Sequence, residues 1–242
     1  SILIPKAGTI RKLTTYVPKE NAHALKTALF HAGAGNIGNY SNCSFTVDGT
    51  GSYQANAGAN PYIGKIGETH YEDESQISIT YGRANEQKIL KALFKNHPYE
   101  EVAYELQTLE NKNQNIGMGM VGNLEKSMGE EEFFEFLKEK MNVSCIRHSD
   151  FLGKKIKKVA LLGGSGSFAI SAAIAANADV FVTSDLKYHQ FYEAEGKILL
   201  ADIGHYETEQ FTKNLLVDYL TKKIPNFAVS LSESKTNPIK YF

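Results

Sequence analysis

The sequence predicts a two-domain α/β protein, an α+β unit over 9–112 followed by an α/β unit over 116–242 whose sheet is mostly parallel. Three observations carry this reading. Up to Leu109 the periodicities follow one another in the order β-α-β-β-α-β. Asn111 to Asn115 is polar and free of apolar residues, as a linker would be. Beyond it, short apolar runs alternate with helical patterns. The length of 242 residues suits one large domain or two modest ones.

In the first unit, Arg11 to Val17 reads as a strand stopped by Pro18. Asn21 to Ala32 places Ala22, Leu25, Ala28, Leu29 and Ala32 on one helical face, and Gly33, Gly35 and Gly38 end it. Cys43 to Val47 reads as a second strand, followed by a Gly/Asn-rich loop from Asp48 to Gly64. Gln76 to Tyr81 alternates Ile77, Ile79 and Tyr81 on one face of a third strand. Asn85 is expected to cap a second helix through Ile89, Leu90, Leu93 and Phe94. His97-Pro98-Tyr99-Glu100-Glu101 is a turn, and Val102 to Leu109 closes as a fourth strand. This is the order of a ferredoxin-like plait.

In the second unit, Met118 to Val121 reads as a strand and Glu130 to Met141 as a helix with Phe133, Phe134, Phe136 and Leu137 inward. Val143 to Arg147 is a further candidate strand. Lys158 to Leu162 is a buried strand, and Gly163-Gly164-Ser165-Gly166-Ser167 leads into a small-residue helix, Phe168 to Ala176. Val180 to Thr183 and Ile198 to Asp202 are strands, separated by a helix from Tyr188 to Glu195. A long helix from Glu207 to Lys223 and a strand from Phe227 to Leu231 complete the pattern.

Composition narrows the function. Lys plus Arg total 26 against 27 Asp plus Glu, a net charge of -1, so nothing marks a nucleic-acid binder. No stretch approaches the roughly 18 consecutive apolar residues of a membrane span. Cys43 and Cys145 are too few and too far apart for a disulfide framework or a CxxC knuckle, which favours a reducing cytoplasm. The chain starts Ser1-Ile2-Leu3-Ile4-Pro5, with neither an initiator methionine nor a secretory signal, and is expected to be part of something longer.

Ligands of open α/β sheets sit at the carboxyl ends of strands, and three such ends carry polar residues. The first, Gly163 to Ser167, lacks the Lys of a nucleotide-triphosphate loop. It satisfies GxGxxA through Gly164, Gly166 and Ala169, with Asp185 roughly 20 residues on. The chain after Asp185 is short for a dinucleotide domain, however, and a tight packing turn explains the glycines equally well. At the second end, Asp185 and His189 are four apart at a helix start, where Asp185 is either functional or an N-cap. At the third, Asp202-Ile203-Gly204-His205-Tyr206-Glu207-Thr208-Glu209, His205 and Glu209 project from one helical face. An imidazole and a carboxylate so placed suit Zn, Mn or Fe, although zinc wants three or four protein ligands.

Taken together, Gly-Gly-Ser-Gly-Ser, Thr-Ser-Asp-Leu-Lys-Tyr-His and Asp-Ile-Gly-His-Tyr-Glu-Thr-Glu resemble the carboxyl-terminal half of the NIF-three-like family, the GTP cyclohydrolase 1 type 2 homologs. Asn96 to Glu101 with Tyr104 resembles the last turn of the PII-like plait that some members carry as an inserted domain. The resemblance covers nearly the whole chain. It implies a dinuclear metal centre with His205 and Glu209 as ligands, a small-molecule substrate, and a homohexamer or trimer assembled through the PII-like domain. The family's His-His-Pro motif is missing, since the only His-Pro here is His97-Pro98. Together with the start at Ser1, this predicts a piece beginning at the inserted domain, with an incomplete metal site. Asp185 and His189 are then candidate second-layer groups that orient the ligands.

Two function classes follow. One is a metal-dependent hydrolase-like protein. The other is a non-catalytic oligomerising or small-ligand-sensing module built on the plait, with Tyr53, Asn56, Asn60 and Tyr62 in the long loop as its supporting feature. Phe133, Phe134, Phe136 and Phe151 read as core, the basic run Lys154 to Lys158 as a solvated edge, and Cys145 as an inert strand residue.

Overall fold

The computed structural model describes residues 1–240. The chain folds as two compact units, one of residues 5–116 and the other of 1–4 with 117–240.

The first unit contains β2 (Ile10–Pro18), α1 (Ala22–His31), β3 (Phe45–Gln54), β4 (Thr69–Gly82), α2 (Glu86–Asn96) and β5 (Tyr104–Thr108); β1 (Ile2–Pro5) precedes them. Its sheet runs β3-β4-β2-β5, every pair antiparallel. The chain order and the two central strands, β2 and β4, are those of the split βαβ plait. Leu13 and Val17 of β2 and Ile77, Ile79 and Tyr81 of β4 meet Leu25, Leu29, Ile89 and Leu93 of the two helices in one core. Each strand thus contributes alternate residues and each helix one stripe.

Two local expectations fail here. β3 does not stop at Val47 but continues to Gln54, paired with β4 as far as Gln54↔Thr69. Its second half, with Gly49, Thr50 and Gly51, lacks apolar alternation because that face stays largely exposed and the strand is paired through the ladder. Asn85 ends a 3₁₀ turn in helical conformation and makes no capping hydrogen bond.

The second unit adds β6 (Gly117–Met128), α3 (Glu130–Met141), β7 (Arg147–His148), β8 (Ile156–Ser165), α4 (Ile170–Ala175), β9 (Val180–Ser184), β10 (Leu199–Asp202), α5 (His205–Glu209) and α6 (Thr212–Lys223). The sheet order is β1-β6-β8-β9-β10-β7. The pairs β8–β9 and β9–β10 are parallel, whereas β6–β8 and β10–β7 are antiparallel. The sheet is therefore mixed rather than mostly parallel: its three central strands carry the βα units and its flanks do not. One face packs Ala160, Leu162, Phe181 and Leu200 on Ile170 and Ala173 of α4. The other packs Val159, Val180, Val182 and Leu199 on Phe133, Phe134 and Leu137 of α3.

The helix expected over 188–195 is a 3₁₀ segment, Tyr188–Ala194. The long helix expected from Glu207 is divided into α5 and α6, and residues 227–231 form no strand. Residues 143–146 are irregular, so Cys145 lies exposed outside any strand. Among the described residues, no helix is long and apolar enough to cross a membrane.

Candidate functional site

The parallel register Asp202↔Thr183 brings the ends of β9 and β10 side by side. Asp185, two residues past Thr183, thereby meets His205, three past Asp202. His205 Nδ1 donates to Asp185 Oδ2 at 2.6 Å. In the neutral ring that bond keeps the proton on Nδ1 and the lone pair on Nε2. Nε2 faces Glu209, 3.4 Å from Oε2 and one turn along α5. The three side chains are about half exposed, at 47%, 45% and 53% for His205, Asp185 and Glu209. The hydrogen bond to Asp185 holds the His205 imidazole above its ordinary pKa, assisted by both carboxylate charges and opposed by desolvation.

Gly164, near the end of β8, forms the floor. Its amide donates to Thr208 Oγ1 at 2.8 Å, and its carbonyl accepts from Thr183 Oγ1 at 3.2 Å. Its φ of +69° is a left-handed conformation, and a Cβ there would lie 2.8 Å from Glu209 Oε1 and 3.4 Å from His205 Nε2. The glycine leaves open the space into which both donors point. At Gly166 the reason is packing, because a Cβ would run into Thr183 Oγ1.

Asp202, only 4% exposed, anchors the loops behind the site. Its Oδ2 accepts from the Leu186 amide at 3.0 Å and from Arg147 Nη1 at 3.0 Å, and its Oδ1 accepts from the Gly204 amide at 3.1 Å. Arg147 Nη2 also donates to the Leu186 carbonyl at 2.9 Å. Both the turn carrying Asp185 and the residue before His205 are thus tied to one carboxylate. Sequence reasoning assigned no role to Asp202, Arg147, Thr183 or Thr208. The available signal was that three of them lie inside the polar strand-end motifs.

Asp185 is not a helix cap: it adopts φ +59° ahead of the 3₁₀ segment, and its carboxylate is turned to His205. For the same reason it shares no helical face with His189. The His189 ring stands 5.2 Å from that of Tyr188, and no hydrogen bond or ion pair joins it to the His205 group among the described residues. With Asp185 on His205 and Gly166 against Thr183, neither is left to serve a dinucleotide fingerprint.

Next to His205 and Glu209 lies an open cavity of about 540 Å³, also lined by Ser234, Asn237 and Ile239 of the irregular carboxyl-terminal segment. Asn237 Nδ2 donates to Glu207 Oε1 at 3.0 Å and helps hold that segment. Among the described residues, no three His, Cys, Asp or Glu side chains converge on one point as a metal requires.

A profile of the family Duf34/NIF3 (NGG1p interacting factor 3) matches residues 13–238. The chain belongs to this family. Curated NIF3 relatives include a protein of Bacillus subtilis (strain 168) named GTP cyclohydrolase 1 type 2 homolog, 38% identical over 237 residues. The match covers 96% of this chain and 63% of the relative. A protein of the same name from Staphylococcus epidermidis (strain ATCC 12228 / FDA PCI 1200) is 35% identical, with 95% of this chain and 64% of the relative covered. The chain therefore spans somewhat less than two thirds of the length of these relatives. Among solved structures, a Bacillus cereus protein related to NIF3 superposes with a TM-score of 0.78 at 33% identity, over 100% of this chain and 66% of that one. A Staphylococcus aureus protein gives a TM-score of 0.67 at 26% identity, over 100% and 64%.

Proposed function

We propose that this NIF3-family chain carries part of a divalent-metal centre in a metal-dependent hydrolase-like protein. His205, through Nε2, and Glu209, through its carboxylate, are the ligands, and Asp185 orients the imidazole. The observation that carries this reading is the Asp185–His205 hydrogen bond, since a ligating His is commonly held by a carboxylate on its other nitrogen. The cradle above Gly164 supports it, because a side chain there would fill the space between the donors.

The donor set, one imidazole and one carboxylate, fits Zn, Mn or Fe. Two donors are fewer than the three or four protein groups of a zinc site. The rest of the shell, and the second metal that the family implies, therefore require donors besides these two. Held by His205 and Glu209 with further donors, a divalent metal would supply Lewis-acid activation of water and of the bond to be hydrolysed. The chain's own part is to fix the His205 tautomer, present Glu209 and keep the cavity open beside them. The relatives' name makes GTP the first small molecule to assay.

The test is metal content per chain by plasma mass spectrometry, for the wild type and His205→Ala after equal exposure to Zn and Mn. Bound metal that disappears in the variant supports the reading. Equal content in both proteins overturns it.

A second reading rests on β3. It is an edge strand whose Phe45 and Val47 are 70% and 47% exposed, a surface that sheets in solution ordinarily cover. In this reading the plait unit serves as an oligomerising or ligand-sensing module, and the protein is a homo-oligomer, trimer or hexamer. Light scattering on the wild type and Phe45→Lys tests it, with dissociation expected in the variant.

A further inference from the structure

The plait unit carries an open cleft of about 480 Å³ that the metal reading does not use. Its walls are the end of β3 with the 55–62 loop, Tyr16 of β2, Glu74 of β4 and the turn over 99–103. The volume is within the range of small-molecule sites. Tyr99 forms the centre of the wall. Its ring meets that of Tyr53 edge-on at 6.0 Å and that of Tyr62 at 6.4 Å, and its hydroxyl donates to Glu74 Oε1 at 2.8 Å. Burial and the Glu74 carboxylate push the Tyr99 phenol well up, so it remains a donor. Behind it, His97 accepts from the Tyr99 amide at 3.1 Å and donates to the Tyr16 carbonyl at 2.8 Å, which fixes the turn.

The charge is one-sided. Glu74, Glu100 and Glu101 line the cavity, and no Lys, Arg or His does among the described residues. Glu100 accepts from the Asn60 amide at 3.0 Å, which ties the 55–62 loop to the 99–103 turn without neutralising the carboxylate. Three carboxylates repel phosphate and carboxylate ligands. Aromatic faces carry negative potential and attract cations, and in water an organic cation gives up its hydration for such a face at less cost than a small inorganic one. A bare metal ion would want oxygen on all sides, whereas the Tyr rings with Ala55, Ala57 and Pro61 offer contact to carbon.

We propose that this cavity binds an organic cation, an amine or quaternary ammonium on a small carbon skeleton, between the Tyr53–Tyr62–Tyr99 rings and Glu74. The proposal deepens the ligand-sensing reading of the plait unit and is independent of the metal site.

Isothermal titration calorimetry of the full chain tests it, with choline, spermidine and 3,3-dimethylbutanol, the neutral carbon analogue of choline, as probes. At least one ammonium probe is expected to bind saturably with a Kd below ~1 mM, and the alcohol at least about tenfold more weakly. Tyr62→Ala, at a half-exposed ring, and Glu74→Gln should each weaken binding about tenfold, with circular dichroism melts confirming that both fold. His205→Ala should bind the probe normally, so failure of the metal reading and failure of this one are separable. Absence of saturable binding by either ammonium, alcohol binding as tight as the tighter ammonium, or indifference to both cavity variants would each overturn it.

Discussion

Asp185 and His205 are joined by a 2.6 Å hydrogen bond, although twenty positions separate them in the chain. The bond exists because β9 and β10 run parallel and in register, ending at neighbouring points of the sheet. It determines which imidazole nitrogen is available. With Nδ1 committed, Nε2 alone can face Glu209 and the space above Gly164.

The first prediction follows from that commitment. Asp185→Ala removes the acceptor and frees the ring to rotate and change tautomer. Affinity for Zn, measured by chelator competition, should fall by about 10- to 100-fold while the fold is retained, because Asp185 is exposed. Undiminished affinity would mean that Asp185 does not set the His205 geometry.

Asp202 leads to a prediction about stability. Asp202→Ala leaves the Leu186 and Gly204 amides without their acceptor, at about 1–3 kcal/mol for each group that stays buried. Urea unfolding should therefore show a loss of ~2–6 kcal/mol. Arg147, whose side chain is 57% exposed, supplies one of the three hydrogen bonds that Asp202 accepts, and Arg147→Ala should cost less than Asp202→Ala because both amides keep their acceptor. Equal losses in the two variants would contradict the assignment of Asp202 as the central acceptor.

Much of this was legible in the sequence, and the failures have physical causes. The plait follows from the two helical stripes and from Ile77, Ile79 and Tyr81, because burial on one face imposes alternation. The second half of β3 has no such signature, since it is held by backbone pairing with β4. The expected strand over 227–231 shows that a short apolar run is not enough without a neighbouring strand to pair with. At the site, the i, i+4 spacing of His205 and Glu209 was readable because a helix places them itself. The Asp185 contact depends on sheet order, and the roles of Thr183 and Thr208 on a glycine that only the fold brings to them. Local periodicity carries none of these.

The two glycines of the β8 turn should behave differently. Gly166→Ala forces a methyl into Thr183 and Leu162, whose residues are buried, so it should lower the melting temperature markedly; the usual scale for overpacking is about 1–3 kcal/mol. Gly164→Ala strains a left-handed residue and crowds Glu209, an exposed side chain that can move aside. Its stability loss should be smaller, of order ~1 kcal/mol, but it should reduce metal uptake, because the methyl occupies the space between the donors. The reverse ranking, with Gly164→Ala less stable and normal in metal uptake, would remove the case for a cradle.

His97 makes the stability of the plait unit depend on pH. It is buried, and burial lowers its pKa below the ordinary 6.5 despite the opposing influence of the Tyr16 carbonyl and Glu74. The neutral ring satisfies both nitrogens, with Nε2 donating to Tyr16 and Nδ1 accepting from the Tyr99 amide. Protonation of Nδ1 would break the second bond. Below pH 6.5 the unfolded chain therefore takes up a proton that the folded chain resists, and stability falls with acid until the folded pKa is passed. Above pH 6.5 this contribution is complete and flat. Chemical denaturation of the wild type from pH 8 to 5 should thus show a decline concentrated below ~6.5. In His97→Gln, whose amide can donate to Tyr16 and accept from Tyr99 at any pH in that range, the decline should be shallower even if the variant is less stable throughout. Parallel profiles for the two proteins would assign the acid sensitivity to other groups.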